Sequence, residues 1–115
     1  MGRPSALREA AADKRMQEQS IVAAAKHGPL QSLTERELEV RDQPLTIYPW
    51  NAQRRVRAWV RFGPESIRVD AKIVRSTPLA AGIEFKADGQ TYRCWVWGNA
   101  VQLDDRKDPL SLALD

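Results

Sequence analysis

Arg55-Val56-Arg57-Ala58-Trp59-Val60-Arg61-Phe62 is the stretch on which the reading of this chain turns. One parity reads Val, Ala, Val, Phe and the other reads Arg, Arg, Trp, Arg. Successive residues of a strand point to opposite faces, so this is the pattern of a strand with one buried face. Tyr92-Arg93-Cys94-Trp95-Val96-Trp97 repeats it, setting Arg93, Trp95 and Trp97 against Tyr92, Cys94 and Val96. Burial of the apolar parity leaves Arg55, Arg57, Trp59, Arg61, Arg93, Trp95 and Trp97 on the other side. A face so rich in arginine and tryptophan is either a binding surface or the seat of another part of the chain.

Outward from these two runs, the period of two persists from Leu45 onward. Strands are expected near 45–48, 54–62, 66–75, 80–86 and 91–97, with a last short one at 100–103. Ile67, Val69, Ala71 and Ile73 share one face of the third, opposite Arg68, Asp70 and Lys72; Ala81, Ile83 and Phe85 face inward in the fourth. Gly63-Pro64-Glu65 joins two strands, and Ala87-Asp88-Gly89-Gln90 is an Asp-Gly hairpin signal. Short strands joined by tight turns predict a small closed or nearly closed barrel. Trp50, in Tyr48-Pro49-Trp50-Asn51, falls at the turn before it, placed to plug one barrel end or to mark a peptide-binding rim.

The first part of the chain reads as helical. Ser5 can cap a helix from Ala6 to Lys26, which is rich in alanine and long straight side chains. His27-Gly28-Pro29 ends it. Its apolar stripe is interrupted at Lys14, Gln17 and Glu18, so such a helix leans on something else, and the tryptophan face is the surface it would need. Thr34 and Glu37 form a capping-box pair for a short helix from Glu35 to Arg41, with Leu33 and Leu38 placed as a staple. The expected organisation is a helical segment over 1–44, a small β-barrel over 45–104 and a tail over 105–115.

The 54–103 stretch resembles a Tudor- or KOW-type small β-barrel. The likeness rests on Val56-Arg57-Ala58-Trp59-Val60, Ala71-Lys72-Ile73-Val74, Gly82-Ile83-Glu84-Phe85, the Asp88-Gly89 hairpin, and Cys94-Trp95-Val96-Trp97-Gly98-Asn99-Ala100-Val101-Gln102 with its one-turn break. The Ala-Trp-Val and Trp-Val-Trp pair is also similar to small uncharacterised proteins of actinobacteria and their phages. The resemblance implies a five-stranded barrel, which with the one long and one short N-terminal helix read above makes the expected fold mainly β. It also implies a binding role, since such barrels take methylated or proline-rich peptides, RNA, DNA or neighbouring domains. A methyl-lysine cage draws its aromatics from loops and strand ends, whereas Trp59, Trp95 and Trp97 stand within strands.

The 115 residues suit one domain with extensions, and the 43% hydrophobic and 29% charged fractions are those of an ordinary folded protein. Apolar runs are only a few residues long, so no membrane span is expected, and no secretory signal or myristoylation pattern is read. Cys94 is the single cysteine, which excludes an intrachain disulfide and points to a cytoplasmic protein. Residues 1–44 are neutral, 45–104 carry +4 and 105–115 carry −1, so the basic excess belongs to the β part and favours an acidic partner. Cys94 has inward parity, His27 ends a helix, and the carboxylates Asp70, Glu84 and Asp88 are scattered. With no phosphate loop, nucleophile elbow or zinc motif, neither catalysis, a cofactor, a metal nor a small-molecule substrate is expected. Gly2-Arg3-Pro4 has the core of an AT-hook without its flanking basic residues.

The leading expectation is nucleic-acid or ribonucleoprotein binding. Arg55, Arg57, Arg61 and Arg93 would supply charge, and Trp59, Trp95 and Trp97 would supply stacking. The alternative is a protein-binding adaptor or inhibitor, of a phage-encoded kind, that engages a host protein complex. It would use the tryptophan face, the first helix and a tail whose Leu110, Leu112 and Leu114 alternate as in a strand added to a partner's sheet.

Overall fold

A computed structural model describes residues 6–104. In chain order these form α1 (Ala6–Ala25), α2 (Glu35–Leu38), β1 (Thr46–Ile47), β2 (Arg54–Phe62), β3 (Glu65–Ser76), β4 (Ala80–Ala87), β5 (Gln90–Trp97) and β6 (Val101–Leu103). Single 3₁₀ turns, Trp50–Ala52 and Gly98–Ala100, precede β2 and β6. Ser5, Gly2-Arg3-Pro4 and the leucines Leu110, Leu112 and Leu114 lie outside the described residues.

Turn chemistry sets the register. Phe62 pairs with Glu65 across a two-residue turn whose first residue, Gly63, has φ +55°. Ala87 pairs with Gln90 across Asp88 (φ 52°) and Gly89 (φ +73°), the two positive values that an Asp-Gly hairpin turn needs. All strand pairs are antiparallel, in the order β5-β4-β3-β2-β6. β1 adds to the far end of β3, Thr46 opposite Ser76, where β2 has not yet begun. A bulge between Ile73 and Arg75 bends β3 there, and the carbonyl of Val74 accepts the N–H of Tyr48 at 2.9 Å.

The expected five-stranded barrel is thus a six-stranded antiparallel sheet whose end strands, β5 and β6, do not pair with each other. The reason is the length of β6, which reaches only Val56, Arg57 and Ala58 of β2. Beyond them the irregular segment 29–33 takes the place of a strand. Leu30 bridges Phe62, the N–H of Gln31 donates to the carbonyl of Arg61 at 2.8 Å, and the N–H of Gly63 donates to that of Pro29 at 3.0 Å. On its other side, the N–H of Leu33 donates to the carbonyl of Trp95 at 3.0 Å and the Ser32 hydroxyl accepts the N–H of Trp95 at 2.9 Å. One short segment therefore touches both β2 and β5, which requires the sheet to curl.

Val56, Ala58, Val60 and Phe62 are buried, as are Val69, Ala71, Ile83, Phe85, Cys94 and Val96. Phe62, Phe85 and Tyr92 close one end: Phe85 stacks on Tyr92 at 5.2 Å, and Phe62 meets both edge-on. Ile21 and Ala24 of α1 join this same cluster. β3 and β4 pair from Ser76–Ala81 to Lys72–Glu84 and then part, and α1 packs against both. In the split, the Gln17 side chain does the work of a missing strand. Its amide donates to the Asp70 carbonyl at 3.1 Å, and its oxygen accepts the Asp70 N–H at 2.6 Å. Gln17, Ile21 and Ala24 are spaced i, i+4, i+7 and so share one helical face. The helix expected over the tryptophans instead fills the interior, because the split offers open backbone that Gln17 bonds and a core that Ile21 and Ala24 complete.

The capping box forms, with the Thr34 hydroxyl accepting the Glu37 N–H and the Glu37 carboxylate accepting the Thr34 N–H. The short helix stops at Leu38 rather than Arg41, because Glu39 turns left-handed at φ 52°. Leu38 is buried.

Gly28 and Gly63 pass back to back. A Cβ on Gly63 would stand 2.4 Å from the His27 carbonyl oxygen, and one on Gly28 would stand 2.8 Å from the Gly63 Cα. Gly63→Ala is therefore expected to cost more stability than Gly89→Ala, whose Cβ meets nothing within 4 Å. Positive φ alone costs about 1–3 kcal/mol for a non-glycine residue. A larger fall in Tm for Gly89→Ala would contradict this packing. Ile21→Ala is expected to lower the unfolding free energy by about 2–5 kcal/mol in urea titration, because α1 is part of the core. A loss below about 0.5 kcal/mol, the range of surface substitutions, would mean that α1 is merely appended.

Candidate functional site

The runs 55–62 and 92–97 keep their parity. Arg57, Trp59 and Arg61 are exposed and Arg55 is half-buried, while Arg93 and Trp97 are exposed and Trp95 half-buried. Register aligns these with further cations. Trp59 lies opposite Arg68, Arg57 opposite Asp70, and Arg55 opposite Lys72, which faces Glu84 and then Arg93 across β4 and β5. Ile47, Arg75, Gly82 and Trp95 form the next cross-strand row. The outer face of β2 to β5 thus carries Arg55, Arg57, Arg61, Arg68, Lys72, Arg75, Lys86 and Arg93 against two carboxylates, Asp70 and Glu84.

Both carboxylates have arginine partners: Arg57 Nε stands 3.3 Å from Asp70, and Arg93 Nε 2.9 Å from Glu84. The Arg93–Glu84 pair, with Arg93 well exposed, contributes about 0.2–1 kcal/mol, so an incoming anion can compete for that guanidinium, whereas the Asp70 oxygen facing Arg57 is buried and holds Arg57 more firmly. Arg68 is held by the side chain of Gln102 on β6, and Arg61 Nε donates to Ser66 at 3.4 Å.

The curl brings together what strand order separates. Trp59 on β2 and Trp95 and Trp97 on β5 line one cleft of about 560 Å³, with Arg61, Glu37, Leu33 and Ala100. Trp59 is 54% exposed and Trp97 41%. Arg55, Arg57 and Arg93 lie on the same outer face but away from this cleft. Trp95 lies against Gly82: a Cβ there would come within 3.3 Å of the indole and of the Arg75 Cβ. A glycine opposite the indole is what gives it room to lie close to the sheet.

Trp50 does not plug the fold. It is 80% exposed at its 3₁₀ turn, with the Lys72 ammonium 5.7 Å from its ring centroid. Neither alternation nor motif marks the segment 29–33 as part of the site, and its role was not legible in the sequence. Lys72 follows from parity, but Arg75 has the inward parity of Ile67 to Ile73 and only the bulge turns it to the outer face.

No family model, no curated protein and no solved structure matches this chain. Among the described residues, no helix is long and apolar enough to cross a membrane.

Burial pushes the Cys94 thiol from its ordinary 9.0 up to about 11. The folded protein therefore holds it protonated at neutral pH, without the thiolate that a nucleophile needs. The linked stability is complete below about pH 9, where the unfolded thiol is also protonated. It falls as pH rises toward 11, because the unfolded chain then releases a proton that the folded chain keeps. Cys94→Ala is expected to flatten that part of the stability–pH profile relative to wild type. An unchanged slope would remove Cys94 as its source.

Proposed function

We propose that this is a non-catalytic binding protein whose outer face takes nucleic acid. The observation that carries the reading is the gathering of Trp59, Trp95 and Trp97 in one cleft on a face with eight basic side chains and two carboxylates. Each half of that arrangement has a role. Indole rings stack on unpaired bases at about 1–3 kcal/mol per base, and the guanidinium and ammonium groups meet phosphate oxygens. Arg61 and Glu37 both stand on the wall of the tryptophan cleft, so the basic excess comes from the rest of the face. The curled sheet, with segment 29–33 along its seam, serves in the manner of the wall of a small Tudor- or KOW-like barrel.

A protein partner is the second reading, favoured by Ile47 and Leu79, which are 62% and 58% exposed beside the sheet. Salt separates the two. Each phosphate contact to a single strand contributes roughly −0.7 to the slope of log K against log salt, whereas an apolar interface hardly responds. Binding to single-stranded probes at low salt is expected to weaken with a slope of about −2 to −3. Trp59→Ala is expected to weaken it about tenfold at constant slope, and Arg93→Ala to make the slope shallower by about 0.7. Failure to shift any single- or double-stranded probe at low salt would end this reading.

A further inference from the structure

Three clefts on the outer face run into one another. The tryptophan cleft shares Ser32 and Trp95 with a second one of about 380 Å³, lined also by Arg75 and Arg93. The second shares Gln53 and Glu84 with a third of about 370 Å³ at the split beside α1, where Trp50 stands among Arg55, Lys72 and Lys86, with Asp70 and, from α1, Lys14, Gln17 and Glu18. Each compartment falls within the ~300–1,000 Å³ of small-ligand pockets, enough for one base at a time. The track follows β4. Trp97 is opposite Ala80, Arg93 is opposite Glu84, and Lys86 stands two residues further along. At about 3.4 Å per residue, the six steps from Ala80 to Lys86 span about 20 Å.

Aromatic rings mark both ends of this track, and between them Arg75, Arg93 and Lys72 outnumber the carboxylate of Glu84, which Arg93 pairs. Trp50 at the far end is solvent-exposed, and Lys72 holds a positive charge beside its ring. An indole placed so can stack only on a base whose face is open, which paired bases inside a duplex do not offer. On the reading of the outer face given above, we infer that its ligand is single-stranded and occupies the whole groove. One end stacks in the cleft of Trp59, Trp95 and Trp97, the other stacks on Trp50, and the intervening phosphates meet Arg75, Arg93 and Lys72. At ~3.4 Å per stacked nucleotide the groove holds about six nucleotides, and fewer if the strand is stretched.

The test is fluorescence anisotropy at low salt with labelled oligothymidylates of two to twelve nucleotides and a twelve-base-pair duplex as competitor. Affinity is expected to climb with length to about six nucleotides and then to level. Trp50→Ala is expected to lower affinity for the six-mer and longer probes about tenfold while leaving the dimer unchanged, and Lys72→Ala to act in the same direction. Trp59→Ala is expected to weaken every length. Because Trp50 and Lys72 are exposed, these variants are expected to keep the wild-type melting temperature. Wild-type affinity of Trp50→Ala at every length, with Trp59→Ala still impaired, overturns the groove and leaves the reading of the face intact. Competition by the duplex as strong as by single strands overturns it too. Absence of binding to every probe removes both.

Discussion

A single glutamine side chain stands where the sheet comes apart. β3 and β4 cannot stay paired along their whole length and also curl, so beyond Lys72–Glu84 the backbone of β3 needs other partners. An unsatisfied buried backbone group costs about 1–3 kcal/mol, more than a satisfied one contributes, so the split is tolerable only if something bonds Asp70. Gln17 meets both its N–H and its carbonyl. One and two turns further along α1, Ile21 and Ala24 enter the core through the same opening. The helix is therefore the part of the interior that the strands leave unfilled.

That placement frees the opposite face. With α1 committed to the inside, the tryptophans of β2 and β5 keep their outward parity uncovered by it, and segment 29–33 runs along the seam between them. The back-to-back approach of Gly28 and Gly63 guides this segment, leading the chain from the end of α1 across the β2–β3 turn and then along Trp95. Curl, seam and cleft are consequences of one another: without the curl Trp59 would lie several strands from Trp97. Without the segment, the exposed backbone of Arg61 and Trp95 would be open edges ready to pair with another chain.

The local chemistry of this chain is legible in its sequence. Alternation in β2 and β5 shows which side chains point in. Asp88-Gly89 and Gly63-Pro64 announce their turns through the φ values they need, and Thr34 with Glu37 announces a helix start. Each of these depends on a few neighbouring residues. Trp50 misled, since an aromatic at a turn looks the same whether it is to be buried or displayed, and only the position of Lys72 across the sheet decides between them. α1 misled in a similar way, because Gln17 breaks the apolar stripe in the sequence and yet holds the helix in place in the fold.

Sequence alone determined the strands, their faces, the turns and the net basic character of the second half, because side-chain period and backbone φ are properties of adjacent residues. Tertiary structure alone decided where α1 goes, how three tryptophans meet and how the groove continues to Trp50. Those outcomes depend on a three-residue β6, a bulge at Ile73–Arg75 and a split ladder, which set relations between residues far apart in the chain. A pattern that repeats every two residues carries no record of distances of that kind.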